Sequence, residues 1–378
     1  MAHALLKDVL PSCGKDYQLV LINPSEEFYW KIGAPRAITR PNALPLDKAL
    51  LNFLPTFKPY GEKFQFIKGK VTSIEPTSRT VEVSTGDKVR YDQLVISSGT
   101  IFENDIWSTS RGSEALLAEV KELHRKIPLA QSIMVVGGGP SGTETAGELG
   151  EEYGGKKEIV LLSGADRLLP RLKNQKPSQS AQQMLEKMGV TVTHNIQVTS
   201  VTKEGEKTVV NLNNGETRTV DVYISAIGDK PNNSFVPQEW LNERGRVKTD
   251  ANTLRVEAPE ATGVYCVGSV ASYSDGNILD TKLAYTACVE SVRLDVGGTS
   301  KFGRCLPSDT KTNRITDAGP RTSKIYKKFQ AEMAFVPVGS QQGVGLAFGW
   351  KLPSFAIKMA KAKDYMIGNA PKLIEGKA

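Results

Sequence analysis

The sequence has little cysteine and little histidine for its length. Among 378 residues there are four cysteines and three histidines. The cysteines lie far apart and form no Cys-x-x-Cys pair, which argues against a disulfide framework, a zinc ribbon and a dithiol redox centre. No two histidines have the spacing of metal ligands, so we expect no histidine-based metal site. The residues concerned are Cys13, Cys266, Cys288, Cys305, His3, His124 and His194.

Long apolar runs are also missing. No run in the sequence reaches the roughly 18 residues that a membrane-spanning helix needs. Residues 1–10 have no basic stretch followed by a long apolar one, so we expect no secretion signal. The sequence therefore predicts a cytoplasmic protein, which could also lie at the surface of a membrane.

The composition that is present is that of a globular protein, with 39% hydrophobic and 24% charged residues. This length predicts roughly two to three domains of about 150 residues each. The net charge is +7, and residues 301–378 hold 14 basic against 5 acidic side chains, so the basic excess belongs to the tail. Such a patch could meet anionic lipid, nucleic acid or an anionic cofactor, and a solvated basic surface is an equally good interpretation. The absence of aromatic residues between the charges argues against nucleic acid as the partner of this tail.

The clearest motif lies between residues 132 and 163, which predict a strand, a glycine turn, a helix and a second strand. The turn fits G-x-G-x-x-G at Gly137, Gly139 and Gly142. The first glycine permits the tight turn, the second lets the backbone approach a pyrophosphate, and the third lets the helix pack on the strand. The helix N-terminus offers free N–H groups to the phosphates. In this context the motif predicts dinucleotide binding.

The residue at the end of the second strand bears on the choice of coenzyme. An acid there selects NAD, but this chain has Ser163, with Arg167 four residues on. No carboxylate repels a 2′-phosphate at this position, and a guanidinium is near. The sequence therefore predicts that NADP is accepted.

Two parts of the chain resemble each other in sequence. Residues 146–163 can be laid over residues 2–23 as helix, turn and apolar strand, but nothing in the first copy corresponds to residues 133–144. One interpretation is two dinucleotide-binding units, the first without its opening strand and glycine turn; the other is a chance likeness.

Each unit also contains an antiparallel insert and a returning strand. Alternation from Phe64 to Ser84 predicts antiparallel strands, and residues 208–220 predict a hairpin around Asn213-Asn214-Gly215. A strand that runs into a turn of small residues is expected at residues 91–99 and at residues 222–228, a short strand at residues 263–269, and a helix at about 279–294.

The layout resembles the flavoproteins of the pyridine nucleotide oxidoreductase superfamily, and within it the apoptosis-inducing-factor-like and ferroptosis-suppressor-like group, including its fungal members. The resemblance covers essentially the whole chain. The matching stretches are residues 94–100, 135–144, 225–232, 263–270 and 336–365. It implies an α/β fold with two Rossmann-like domains, one FAD-binding in type (residues 1–120 and 240–330) and one NAD(P)-binding (residues 121–239), and a small C-terminal segment (residues 331–378).

The resemblance also implies an activity. It is that of an FAD-dependent enzyme that passes hydride from NAD(P)H through the flavin to a quinone-type acceptor. In thiol-dependent branches a cysteine pair follows the first unit, and this chain has none. Electrons are therefore expected to pass straight from flavin to acceptor.

Several site residues follow from the resemblance. Glu144 matches a glutamate near the nicotinamide–flavin contact, or is simply an acid at a helix N-terminus. Lys361 matches a lysine near the flavin, or is a surface lysine. Arg36 matches a flavin-side stretch, or is a surface arginine. The remaining expected cofactor-binding residues are Asn23, Gly228, Gly268 and Ser269.

Two departures from the group concern the flavin. The first unit lacks the strand and glycine motif that cradle the flavin pyrophosphate, and Ser269 stands where the group has an acid. Asn23 likewise stands where an acid usually meets the adenosine ribose. Either the chain is an incomplete version of an enzyme, or it is a degenerate form that binds NAD(P)H without catalysis and has impaired flavin binding.

The tail suggests a partner. Residues 353–365 predict a short basic amphipathic helix that could lie on an anionic membrane where a lipid quinone enters. The alternative is a helix packed on the flavin domain with solvated lysines. The myristoylation pattern is absent, because Met1-Ala2-His3 lacks the glycine.

Overall fold

The computed structural model describes residues 1–228, 230–276, 278–297 and 325–377, without the side chains of Ile278 and Leu279. Cys305 and the basic residues from Lys301 to Lys324 lie outside these ranges. None of the described helices is long and apolar enough to cross a bilayer.

The chain forms two compact units. The first comprises Met1–Glu26, Phe53–Ile101 and Lys230–Phe329; the second comprises Glu27–Asn52, Phe102–Asp229 and Gln330–Ala378. These bounds differ from the predicted domains in three respects. The segments 27–52 and 102–120 belong with the glycine motif, and so does the C-terminal segment, which was expected to stand alone. Residues 230–239, which were predicted in the NAD(P)-binding domain, belong to the first unit.

The strands of the described chain are mostly short. In chain order they are β1 Leu19–Asn23, β2 Glu27–Tyr29, β3 Leu50–Asn52, β4 Phe64–Lys68, β5 Val71–Glu75, β6 Thr80–Val83, β7 Lys88–Arg90, β8 Leu94–Ile96, β9 Thr100–Ile101, β10 Ser132–Val136, β11 Glu158–Leu162, β12 Val190–Thr193, β13 Val198–Glu204, β14 Lys207–Leu212, β15 Thr217–Val220, β16 Val222–Ser225, β17 Lys230–Pro231, β18 Val264–Cys266, β19 Ala334–Pro337, β20 Gly343–Ala347 and β21 Trp350–Lys351.

The α-helices are α1 Ala2–Ala4, α2 Ala34–Thr39, α3 Leu46–Ala49, α4 Ser113–Leu129, α5 Pro140–Tyr153, α6 Lys176–Lys187, α7 Ile278–Asp295, α8 Ser354–Ile357 and α9 Ala370–Ile374. The helix predicted at about residues 279–294 is confirmed as α7. The predicted tail helix is shorter than expected: a π-helical turn, Lys358–Ala362, continues α8, and Tyr365 and Met366 then adopt positive φ.

The second unit is built on a four-stranded parallel sheet in the order β12-β11-β10-β16. Strand β10 is central, with Ile133 beside Ile159 on one side and Val222 on the other. Its apolar run is buried on both faces, as expected of a parallel strand covered by helices. The predicted strand, glycine turn, helix and strand are therefore confirmed, and so is the hairpin of β14 and β15.

The first unit holds smaller sheets. Strand β1 pairs in parallel with β4, β8 pairs in parallel with β18, and β5, β6 and β7 form an antiparallel meander. The antiparallel prediction for residues 64–84 is right for β5 and β6 but wrong for β4. Strand β4 is half exposed, so an alternating pattern suits it although its partner runs parallel.

The two parallel pairs of the first unit remain separate. In the second unit β10 joins β11 to β16, but no described strand joins β1 to β8 or β18 in the same way. The residues of β1 are all half-buried, whereas four of the five residues of β11 are buried. This arrangement agrees with the interpretation that the first unit lacks its opening strand.

Candidate functional site

The glycine turn lies at the carboxyl end of β10 and leads directly into α5. Gly137 has φ +126°, which disfavours any residue with a Cβ. A Cβ on Gly142 would collide with the carbonyl oxygen of Gly137. By contrast, a Cβ on Gly139 would meet nothing within 4 Å, so the backbone at this glycine faces open space at the helix N-terminus. The turn thus has the space and the unpaired donors that a diphosphate needs.

Gly228 lies at the same edge of the sheet. It follows β16, which pairs with β10, and an added Cβ would meet no atom within 4 Å. Its open position beside the glycine turn is compatible with its predicted place in the coenzyme site.

Ser163 and Arg167 follow β11 but face inward. Ser163 is buried, and its hydroxyl donates to the carbonyl oxygen of Arg167 at 3.1 Å. The Arg167 guanidinium donates to the carbonyl oxygens of Pro170 and Leu172, at 3.0 Å and 3.3 Å. Arg167 is therefore engaged by its own loop, and acceptance of NADP stays a prediction. Asp166, missed in the sequence analysis, is exposed, and its carboxylate lies 3.6 Å from the Arg167 guanidinium.

Glu144 is the fifth residue of α5, just past the first turn, and is buried. The Lys361 ammonium donates to its Oε1 at 2.5 Å and to the carbonyl oxygen of Phe335 at 3.3 Å. Burial raises the pKa of Glu144 to about 7, although the positive charge of Lys361 opposes the shift. The structure therefore brings together the two residues that the resemblance assigned to catalysis, although they are 217 positions apart.

Arg36 is neither a surface residue nor open toward a ligand. Its guanidinium bonds both carboxylate oxygens of Glu148 at 2.8 Å and donates to the carbonyl oxygens of Ala362 and Lys363. The ring of Tyr365 lies 4.7 Å from its guanidinium carbon. Arg36 thus connects α2, α5 and the C-terminal segment, and its place beside a flavin stays a prediction.

Sequence reasoning missed the wider ionic network around Arg36. Arg40 bonds Glu148 at 3.1 Å and Glu151 at 2.5 Å, and Glu151 accepts from the Ser340 amide and hydroxyl at 2.6 Å. The spacing of Glu144, Glu148 and Glu151 along one face of α5 was the available signal.

The first unit contains the other residues predicted to bind a cofactor. Asn23 ends β1, and its amide donates to the carbonyl oxygen of Ser25 at 2.5 Å. Gly268 follows β18 with φ +91°, and its amide donates to the Tyr273 hydroxyl at 2.9 Å. The carbonyl oxygen of Ser269 accepts from Arg246. These residues follow parallel strands, where α/β proteins place ligands.

The described residues fit the two nucleotide cofactors to different degrees. The turn at 137–142 fits the diphosphate of a nicotinamide coenzyme. For a flavin, the ends of β1 and β18 offer polar groups, but the described part of the first unit holds no counterpart of β10 with its glycine turn. The diphosphate part of a flavin site is therefore not formed by these residues.

Comparison with known proteins bears on the whole chain. The family model described as pyridine nucleotide-disulphide oxidoreductase matches residues 16–291. The chain is 32% identical to "Oxidoreductase phnG" of Penicillium herquei, with 100% of this chain and 93% of that protein covered. It is 24% identical to ferroptosis suppressor protein 1 of Taeniopygia guttata, over 93% of this chain and 88% of that protein.

The solved structures bear on the fold. A ferredoxin reductase from Rhodopseudomonas palustris superposes with a TM-score of 0.60 at 18% identity, covering 77% of this chain and 71% of that one. At this identity the likeness shows the fold alone. The Rossmann-like α/β class and the resemblance inferred from the sequence are both confirmed.

Proposed function

Because the chain belongs to the pyridine nucleotide-disulphide oxidoreductase family, whose members depend on FAD and NAD(P)H, we propose that it oxidises NAD(P)H and passes the electrons through FAD to a quinone-type acceptor. The observation that carries this proposal is the glycine turn at the carboxyl end of β10. It has open space at Gly139, and Glu144 lies one turn along the helix.

The backbone of residues 137–142 is the coenzyme-binding part of the proposal. No side chain caps α5. Pro140 has no N–H and the Thr143 amide donates to the carbonyl oxygen of Gly139, so the amides of Ser141 and Gly142 are the ones available to phosphate oxygens. The helix dipole adds positive potential at the same point. These groups would bind and orient the coenzyme through its diphosphate.

Glu144 and Lys361 are the proton-handling part. FAD, when bound, supplies the two-electron chemistry. Reduction of a quinone also consumes protons, and a carboxyl group with a pKa of about 7 can hold or release one at neutral pH. Lys361 fixes the orientation of that carboxyl group through the contact to Oε1.

The acceptor is inferred from chemistry and from resemblance. The sequence has no Cys-x-x-Cys pair that could take electrons from a flavin as a dithiol. A diffusible small molecule is therefore the better candidate, and the ferroptosis-suppressor-like resemblance favours a quinone.

A second candidate function follows from the first unit. Because β1–β4 and β8–β18 remain two separate pairs, the flavin diphosphate lacks its cradle among the described residues. On this alternative the chain binds NAD(P)H through the second unit but holds no flavin and transfers no hydride.

Two measurements test the proposal and separate the candidates. Calorimetric titration with NADH and with NADPH is expected to show binding that Gly139→Val abolishes, because a Cβ at this position meets no protein atom within 4 Å and the added side chain takes up the open space. Gly14→Val, at a glycine that is also open, is the matched control. If neither coenzyme binds to the unaltered chain, both candidates are wrong.

Flavin content then decides between the two candidates. A yellow chain with an absorbance band near roughly 450 nm, and NADH oxidation on adding a soluble quinone, supports the enzyme. Coenzyme binding without flavin, even after incubation with FAD, supports the alternative.

A further inference from the structure

The hairpin and helix near the C-terminus expose a cluster of large apolar side chains. Phe348, Trp350, Phe355 and Met359 are 68%, 79%, 66% and 77% exposed. Within the part of the chain that the structure describes, only Leu129 among the other large apolar residues is more than 60% exposed. We call these four residues the apolar tip. Exposed apolar residues concentrated in twelve positions of sequence indicate an interaction surface.

The backbone at the apolar tip is strained. Phe348 and Gly349 form the two-residue turn between β20 and β21, and both have positive φ, +53° and +81°. Turns of this type favour Asn-Gly, whereas a bulky aromatic residue at positive φ is disfavoured. The hairpin thus holds an aromatic side chain at its outermost point against a local conformational cost.

The four side chains belong to one surface. Trp350 pairs with Ala347, so it shares the hairpin face of Gly343 and Gly345. On that face Ile357 of α8 packs so closely that a Cβ at Gly343 would collide with it. Phe355 and Met359 lie on the opposite side of this helical segment from the buried Ile357. The helical segment that packs on this hairpin face through Ile357 therefore presents both side chains to solvent.

The charge around the apolar tip is positive. Residues 330–378 contain six lysines and three acids. Lys358, which is half-buried, and Lys363, which is exposed, come after α8 in the same segment as Met359. A second copy of the chain would bring like charges together on this surface. Anionic lipid headgroups would instead complement them.

We propose that the apolar tip docks the protein onto a bilayer containing anionic lipid, with Phe348 and Trp350 in the interface and the lysines at the headgroups. This proposal depends on neither the coenzyme nor the acceptor. It places the second unit on the membrane through a hairpin tip as well as through the short helix.

Tryptophan fluorescence of the intact chain tests this directly. Trp350 is exposed, whereas Trp30, Trp107 and Trp240 are buried. Vesicles of phosphatidylcholine with about a third phosphatidylserine are expected to shift the emission to the blue and to sediment the protein. Trp350→Phe is expected to remove the shift and keep the sedimentation. Pure phosphatidylcholine is expected to bind at least about tenfold more weakly.

Variants locate the surface. Trp350→Ser with Phe355→Ser is expected to weaken sedimentation by at least about tenfold. Leu129→Ser, at an equally exposed residue outside the apolar tip, is the matched control and is expected to leave it unchanged. No spectral shift with no sedimentation overturns the proposal. Sedimentation velocity without lipid tests the other occupant. If the unaltered chain is a dimer and the Trp350/Phe355 variant is a monomer, the surface binds a second copy and the membrane proposal is wrong.

Discussion

Two glutamates on one face of α5 have different partners. Glu144 contacts Lys361, and one turn later Glu148 is bonded by Arg36 and Arg40. Both carboxylates are buried, so the number and geometry of the cations around each decide what it can do. Glu148 is held in a bidentate pair, whereas Glu144 has a single ammonium and a pKa of about 7. The proposed proton-exchanging group of the site is therefore Glu144, and the role stays a prediction.

The raised pKa of Glu144 makes a prediction about stability and pH. Its ordinary value is 4.5 and its value in the folded chain is about 7. The folded state thus binds the proton more tightly than the unfolded state, so stability is lost as pH rises from about 4.5 through 7. Relative to Glu144→Gln, the free energy of unfolding of the unaltered chain is expected to fall across this range by at most about 1.4 kcal/mol per pH unit. Urea unfolding at several pH values measures this.

An exposed glutamate serves as the control. Glu122→Gln removes the carboxyl group of a helical glutamate that is in contact with solvent and surface cations. The difference in free energy of unfolding between Glu122→Gln and the unaltered chain is expected to change little between pH 5 and 8. A flat profile for Glu144→Gln as well would show that the pKa of Glu144 is not raised.

At the scale of elements, α5 is in close backbone contact with the C-terminal antiparallel sheet of β19, β20 and β21, at the turn between β19 and β20. A Cβ on Gly147 would lie 2.7 Å from the amide nitrogen of Gly339 and 2.8 Å from the Cα of Val338. Glu151, one turn later, accepts the amide and hydroxyl of Ser340. These contacts hold the segment that carries Lys361 against the helix that carries Glu144.

Gly147→Ala is predicted to loosen this packing. The methyl group meets backbone on the facing turn, which cannot rotate away, so we expect a loss of about 1–3 kcal/mol in the free energy of unfolding. Lowered resistance of the C-terminal segment to proteolysis should accompany it. Ser141→Ala, at an exposed position of the same helix, should change stability by less than about 0.5 kcal/mol. An unfolding midpoint identical to that of Ser141→Ala would contradict the close packing.

The element predictions succeeded where burial on both faces left a clear pattern. The apolar run of β10, its glycine turn and the following helix could be predicted from residues alone. The direction of β4 could not, because alternation reports one exposed face and not the orientation of the partner. The predicted tail helix was too long, because the sequence gives no sign that Tyr365 and Met366 adopt positive φ.

On the scale of the whole molecule, the two units differ in how completely their parallel strands are paired. The sheet of the second unit gives β11 a partner on each side, whereas β1 has β4 alone among the described strands. Strands with one partner and half-exposed residues open more readily than central buried ones.

Hydrogen exchange is predicted to reveal this inequality. Amides of Leu19–Asn23 should exchange at least about tenfold faster than amides of Glu158–Leu162. Mass spectrometry of peptic peptides that cover the two strands measures the rates, with β10 as the slow internal reference. Equal protection of β1 and β11 would mean that β1 is covered on its second edge.

The residue types and their order determined the chemistry that this chain can carry. A glycine turn between an apolar strand and a helix is a local feature, because sterics and backbone donors over ten residues suffice to form it. The absence of a second such turn was visible in the same way.

Tertiary structure alone decided which distant side chains meet. Lys361 reaches Glu144 only because the C-terminal segment folds back against α5. Arg36 forms its ion pair with Glu148 in the same region of the fold. Burial and the choice of counter-ion are set by residues hundreds of positions away, so no local pattern could have separated a proton-binding glutamate from a structural one.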